Sequence, residues 1–325
     1  MQLVFGPVPS RRLGQSLGID TIPLKTCNWN CVYCQLGRTV PLTNERRAYY
    51  PPEAILAEVR AALNNHRPGE IDWVTFVGSG EPTLHSDIGR LIRDVKRMTD
   101  LPVAVITNGA LLYQPEVRRD LAGADAVLPS LDAGDPELYR HLNRPHPACS
   151  FERLIDGLVA FRRDYTGRLW LEVMLIKGLN DTPAALHDIA NHVARIRPDE
   201  VHLNLPLRPP AEPWVQPSDE EGIMHAQAIL GRVARVVHPV TGKFDLTGSE
   251  PVEAILALIT RHPLHETELQ QALTAAYPDD VDAILADLAA DSRAHVVERY
   301  GARFWCAAVT HHANPGPDGT HPALV

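Results

Sequence analysis

The chain has 325 residues, of which 45% are hydrophobic, and a formal charge of −9 at pH 7. That is enough apolar material to bury the core of one large domain with something smaller beside it, and the acidic balance argues against broad electrostatic attraction to nucleic acid. The longest apolar runs, such as Ala254 to Ile259, fall far short of the ~18 residues that cross a bilayer, and in MQLVFGPVPSRR the charge follows the apolar residues, the reverse of a signal peptide. The expectation is a cytoplasmic protein with no membrane partner.

From about Ser16 to Val236, short apolar runs alternate with longer stretches of helical period, the signature of βα units around a parallel sheet. Strands are predicted near Leu17–Ile22, Trp73–Val77, Val103–Ile106, Ala126–Leu131, Leu169–Ile176 and Val201–Leu205. Helices are predicted near Pro52–Asn65, Ser86–Met98, Pro115–Leu121, Phe151–Asp164, Pro183–Arg195 and Ser218–Val236, with Pro52 and Pro183 suited to first-turn positions. The fold class is therefore α/β, a partial (β/α)6 TIM-like barrel over residues 1–240, too short for the eight units of a closed barrel.

Beyond it, residues 251–308 read as a small C-terminal winged-helix-like domain. Helical patterns run over Val252–Thr260, Glu266–Ala275 and Asp280–Ala290, and HVVERYGARFWC is a hairpin signal with Tyr300–Gly301 near its turn. Residues 250 to 325 hold 4 Arg and no Lys against 11 Asp plus Glu, which makes DNA an improbable partner. The tail from 309 to 325 is rich in Pro, Gly and His and is expected to be disordered. Arg11, Arg12, Lys25, Arg38, Arg46 and Arg47 are candidates for a local basic patch, with a scattered solvated surface the favoured reading.

Five cysteines, three of them within TCNWNCVYCQLG, point to metal ligation in a reducing compartment and away from a disulfide framework. The Cys-x3-Cys-x2-Cys spacing puts Cys27, Cys31 and Cys34 on one tight loop able to embrace an iron–sulfur cubane and leave one iron open. Structural zinc wants a closed set of four Cys or His ligands. The nearest additional candidate, His66, falls on a predicted helix, and Cys149 and Cys306 stand alone as buried thiols.

Most polar clusters directly follow a predicted strand, where such a sheet carries its chemistry. GSGEPTLH, Gly78 to His85, follows the second strand, and its glycines allow close approach of backbone to a ligand. Thr107, Asn108 and Gly109 follow the third, Ser130 and Asp132 the fourth. Glu172, Lys177, Asn180, Asn204 and Arg208, on or beyond the later strands, are candidates for the substrate side, with a loop-structuring role the equal alternative for each taken singly.

The cysteine spacing, with aromatic Tyr33 before the last cysteine, resembles the signature of the radical S-adenosylmethionine (SAM) superfamily, and Gly78, Ser79, Gly80, Glu81 and Pro82 resemble its GGEP motif with Ser79 in place of the second glycine. The resemblance implies a [4Fe-4S] cluster on Cys27, Cys31 and Cys34. It implies SAM at the open iron, the SAM amine on the GSGEP motif, and SAM ribose and carboxylate near Asn108, Ser130 and Asp132. It also implies a reductant such as flavodoxin or ferredoxin, and reductive cleavage of SAM to a 5′-deoxyadenosyl radical that abstracts hydrogen from a substrate.

The phrases GPVPSRRLGQSLGID, FVGSGEPTLH, LPSLDAGDPELYRHLNRPH and LNLPLRPPAE further resemble bacterial relatives of the wyosine-type, tRNA-modifying members of that superfamily. Those carry a second cluster on upstream cysteines, whereas here no cysteine precedes Cys27. Substrate classes that stay open are an RNA base, a peptide and a metabolite. An alternative of another class is an iron–sulfur or metal-sensing transcription regulator using its C-terminal unit on DNA.

Overall fold

The computed structural model describes residues 2–238, 244 and 250–310, so the expected disorder of the tail concerns residues that, from 311 on, lie outside the described ones. The chain divides into two compact units. The first gathers Met1–Asn30, Thr39–Leu205 and Ser218–Asp245; the second gathers Cys31–Arg38, Pro206–Pro217 and Leu246–Val325.

The first unit is built on an eight-stranded sheet whose spatial order follows the sequence. It opens with a hairpin, β1 (Val4–Ser10) and β2 (Gly14–Ile19), paired antiparallel. From β2 onward every neighbouring pair is parallel: β3 (Trp73–Phe76), β4 (Val103–Thr107), β5 (Ala126–Pro129), β6 (Arg168–Met174), β7 (Glu200–Asn204) and β8 (Ala234–Val236). The crossovers carry α1 (Pro52–Asn65), α2 (Ile88–Met98), α3 (Pro115–Leu121), α4 (Pro136–Asn143) with α5 (Phe151–Asp164), α6 (Pro183–Ile196) and α7 (Glu220–Leu230). The six predicted strands and helices all lie within this scaffold, a mostly parallel α/β sheet of TIM-like barrel type.

Three elements differ from expectation. β1 was not anticipated, because Pro7 and Pro9 interrupt its alternation; proline is tolerated there since an edge strand has spare positions without a ladder bond. The helix predicted over Ser218–Val236 stops at Leu230, where Gly231 takes a φ of +70°, and the chain continues into β8. α4 carries a start signal in Asp135–Pro136: the Asp135 carboxylate accepts from the backbone N–H groups of Glu137 (2.8 Å) and Leu138 (3.0 Å).

One face of the sheet is apolar throughout, with Leu17, Val74, Phe76, Val103, Val105, Val127, Leu169, Leu171, Val201 and Leu203 all buried, as a layer under crossover helices requires. The opposite face mixes small and polar residues. There Ala104, Ala126 and Leu128 pack with Leu13 from the β1–β2 turn, flanked by Trp73, Ile106 and Trp170. Among the described residues no helix is long and apolar enough to cross a membrane.

The described C-terminal residues of the second unit form α8 (Pro251–Ile259), β9 (Leu264–His265), α9 (Glu266–Ala276), α10 (Val281–Ala290) and a hairpin of β10 (Ala294–Arg299) with β11 (Ala302–Ala307). β9 pairs with β11, completing a three-stranded sheet. The hairpin turns at Tyr300 and Gly301, both at positive φ. α9 begins with a reciprocal cap in which His265 accepts from the first turn and Glu268 reaches back to the His265 N–H (3.2 Å).

Candidate active site

In the first unit the GSGEP segment leaves β3 and locks onto the residues just before Cys27. The Ser79 carbonyl accepts from the Lys25 N–H (2.6 Å), and the Glu81 N–H donates to the Thr26 carbonyl (3.0 Å). The Ser79 hydroxyl donates to Asp20 (2.6 Å), buried at the end of β2. Two glycines make this approach possible: a Cβ on Gly78 would stand 2.4 Å from Asp20 Cγ, and one on Gly80 would stand 1.9 Å from the Thr26 carbonyl oxygen. Because the second obstacle is backbone, Gly80→Ala must displace the start of the cysteine segment. The expected result is a loss of about 1–3 kcal/mol of stability and poorer iron retention after reconstitution, read by urea unfolding and iron analysis; a variant matching wild type in both would contradict this packing.

Glu81 is fully buried and spends its carboxylate inside the protein. Oε1 accepts from the Thr83 N–H (3.0 Å) and from the hydroxyls of Thr83 (2.5 Å) and Thr107 (2.6 Å), and Oε2 accepts from the Asn108 N–H (2.7 Å). Burial pushes its carboxyl above the usual range, opposed by these four donors. Glu81 thus fixes the end of β4 against the loop after β3. His85 closes the motif: its Nδ1 accepts from the Asp87 N–H (3.2 Å), which leaves Nε2–H to donate to the Tyr50 carbonyl (3.0 Å).

Asn108 connects this frame to sulfur. Its Nδ2 donates to Asn28 Oδ1 (2.6 Å) and approaches Cys27 Sγ at 3.8 Å, and the Trp29 N–H donates to the same sulfur at 3.4 Å. Asn28 is wholly buried and donates in turn to Asn44 Oδ1 (3.1 Å) and to Cys149 Sγ (3.7 Å). Asn28, Asn44, Asp20 and Thr83 were not singled out from the sequence. Asn28 lies between two cysteines of the motif, Thr83 inside GSGEPTLH and Asp20 at the end of GPVPSRRLGQSLGID, so position within a motif was the signal available for these three.

Asp132, expected near SAM, is buried with Oδ1 accepting from the Met174 N–H (2.8 Å) and Oδ2 from Asn143 (2.7 Å), so it pins the β5 end to β6. Ser130 bridges to Glu172 in parallel register. Asn180 donates to the carbonyls of Asp132 and Met174, both at 2.8 Å, a loop-structuring role.

Of the substrate-side candidates, Glu172 and Asn204 come together on Arg12, whose Nη1 lies 2.5 Å from Glu172 Oε1 and 3.3 Å from Asn204 Oδ1. Lys177 instead makes an exposed pair with Asp219 at 2.9 Å. Arg208 falls in the second unit, where Nε donates to the Pro263 carbonyl (2.9 Å). The solvated-surface reading needs correction for Arg12 and Arg46, largely buried in pairs with Glu172 and Asp120, whereas Arg38, paired with Glu212, stays exposed. Each guanidinium sits where a carboxylate is within hydrogen-bond reach.

Cys31, Tyr33 and Cys34 lie in the second unit, on a turn closed by Cys34 N–H donating to the Cys31 carbonyl (3.1 Å) and Gly37 N–H to the Cys34 carbonyl (3.0 Å). Cys27, Cys31 and Cys34 are of intermediate exposure and Cys149 and Cys306 are buried, and none of the five forms a disulfide. Among the described residues no three His, Cys, Asp or Glu side chains already form a group fit for a single metal ion; a cubane needs a wider spread of ligands than one ion does. The donor set fits such a cluster: three accessible thiols in one short segment, one already receiving N–H groups of the kind that tune a cluster thiolate.

Burial pushes the Cys149 thiol up to about 12, helped by the charge of Glu81, and burial alone does the same for Cys306. At pH 8 such thiols are ionised to roughly one part in 10⁴. Iodoacetamide is therefore expected to label Cys27, Cys31 and Cys34 in cluster-free native protein and to spare the other two. Peptide mass mapping checks this, and labelling of Cys149 at the rate of Cys31 would disprove it.

The sheet is mostly parallel α/β with glycine-rich and polar segments at its strand ends, and one of these is bonded to Lys25 and Thr26, just before Cys27; folds of this class carry their chemistry at the carboxyl ends of their strands. The model of the radical SAM superfamily matches residues 21–189. A UPF0026 protein of Methanocaldococcus jannaschii is 37% identical over 278 residues, 84% of this chain and 86% of that protein. A protein of Brachyspira hyodysenteriae described as GTPase Obg is 48% identical over 200 residues, 62% of this chain but only 29% of its own length. Among solved structures, Streptococcus suis SuiB bound to S-adenosylmethionine shares the fold at TM-score 0.50 and 17% identity, over 68% of this chain and 49% of that one. The chain belongs to the radical SAM superfamily, an enzyme family whose members imply a [4Fe-4S] cluster and SAM, and UPF0026 proteins are close relatives.

Proposed function

We propose that this enzyme holds a [4Fe-4S] cluster on Cys27, Cys31 and Cys34 and cleaves SAM reductively in order to take hydrogen from a substrate bound at the mouth of the sheet. The observation that carries the reading is the treatment of Cys27: its sulfur receives N–H donors from Trp29 and Asn108, and the segment before it is fastened by Ser79 and Glu81. A cluster held there would supply, once reduced, the electron for reductive cleavage of SAM.

The chain's own residues orient and exclude water. In this reading Gly78, Ser79, Gly80 and Pro82 offer backbone to the SAM amine, while Glu81 and Asp132 act through the strand ends that they fix. Tyr33, Asn108 and Ser130 complete the SAM side, and Glu172 with Asn204 the substrate side. The barrel domain is read as residues 1–240 and a winged-helix-like domain as 251–308. A small electron carrier such as flavodoxin or ferredoxin serves as reductant, in the cytoplasm.

Anaerobic reconstitution with iron and sulfide, followed by dithionite and SAM, is expected to release 5′-deoxyadenosine, read by chromatography and mass. Fully iron-loaded protein that releases none would sink the reading. Specific retention of DNA at controlled salt would favour the regulator alternative instead.

A further inference from the structure

The turn carrying Cys31 and Cys34 belongs to the same compact unit as the segment Pro206–Pro217 and the described C-terminal residues. Residues 31–38 form no helix or strand, so their conformation is set by what holds them from outside. Gln35 Nε2 donates to the carbonyl of Arg261 (2.9 Å), in the turn between α8 and β9. The Glu212 N–H donates to the Val32 carbonyl (2.9 Å), and its buried carboxylate receives Arg38 through both Nε (3.0 Å) and Nη2 (2.8 Å). The segment that supplies Glu212 is itself held by the C-terminal residues. Arg208 donates to the Pro263 carbonyl (2.9 Å), and the Val215 carbonyl accepts from Arg299 Nη2 (3.0 Å) and Tyr300 Oη (3.0 Å) at the hairpin turn.

The α8–β9 turn and the hairpin tip are thus both spent on contacts within the chain. The links from Gln35, the Glu212 N–H, Arg208, Arg299 and Tyr300 end on backbone carbonyls and so fix main chain, while Arg38 and Glu212 add a side-chain pair. An irregular segment between two cysteine ligands loses backbone entropy when it is ordered for ligation, and a prior hold on that segment lowers the cost of binding.

We propose that the C-terminal module, residues 250–310, is a brace for the cluster-binding turn, with Gln35 and the Val215 carbonyl as its attachment points. Gln35, Arg299 and Tyr300 are positioning residues, and the link to iron retention rests on the function proposed above.

The test uses the full chain with Gln35→Ala and Tyr300→Phe, and Arg293→Ala as a control on the exposed pair with Glu253. In cluster-free protein, amide hydrogen exchange across residues 31–38 is expected to run about fivefold faster in Q35A and Y300F, the effect of one lost hydrogen bond, and at the wild-type rate in R293A. In reconstituted protein, removal of iron by a chelator is expected to accelerate in the same order. Wild-type exchange rates in both variants, or wild-type rates of iron loss, overturn the brace. Should wild-type protein take up no iron, the proposed function falls while the exchange measurement still decides the brace.

Discussion

Cys31→Ala is expected to remove iron retention and SAM cleavage together, bringing 5′-deoxyadenosine down to the level of a protein-free control. A cubane held by three protein thiolates has no spare ligand, and Cys149 and Cys306 cannot substitute, being buried with thiols pushed up to about 12. The loss should exceed the effect of Asn108→Ala, which leaves all three thiols in place and removes a donor to the Cys27 sulfur and to Asn28 together with the acceptor of the Ala110 N–H; outer partners of this kind cost about 10–100-fold. Cys306→Ala is expected to keep the wild-type yield. Iron analysis beside product quantification separates the cases, and a Cys31→Ala protein that retains four irons and cleaves SAM would remove these thiols as the ligands.

Glu81→Ala should be the most destabilising single change in the GSGEP segment. It strips acceptors from two backbone N–H groups, those of Thr83 and Asn108, and from the hydroxyls of Thr83 and Thr107. The hydroxyls rotate to other partners, but the amides do not, and buried orphans of that kind cost roughly 1–3 kcal/mol each. A loss of about 3 kcal/mol is expected in urea unfolding, and a loss below about 1 kcal/mol would show the site to be more open than its burial indicates.

Glu81→Gln adds a pH signature. Burial raises the Glu81 carboxyl above its ordinary 4.5, so the folded protein binds this proton more tightly than the unfolded chain does. The stabilisation is complete below 4.5 and is lost as pH rises through the folded-state value. Wild-type stability relative to E81Q should therefore decline as pH is raised from 4.5, as measured by paired denaturation curves; a flat difference would mean that the four donors fully offset burial.

Pro52 and Pro183 marked helix starts that the structure places at those same residues, because first-turn chemistry is local. β8 was misread as helix for the same reason in reverse: Ala234–Val236 is three residues long, and only pairing with β7 makes it a strand. Glu81 and Asp132 were read as groups that face a ligand, and both turned inward to strand ends. Their residue types were legible, but burial and partner choice are not properties of a residue in isolation.

What the sequence determined by itself was the chemistry on offer: three thiols at fixed spacing in one segment, a glycine-rich turn one βα unit later, and an acidic C-terminal stretch. These follow from covalent order and residue type. Tertiary structure alone decided that Gly80 must be glycine because the Thr26 carbonyl stands against it, and that Arg12 meets Glu172. It alone decided, too, that the Cys31–Cys34 turn is held through Gln35 and Glu212. Each is a contact between residues distant in the chain, and such contacts come into existence only when the backbone has closed the loops between them.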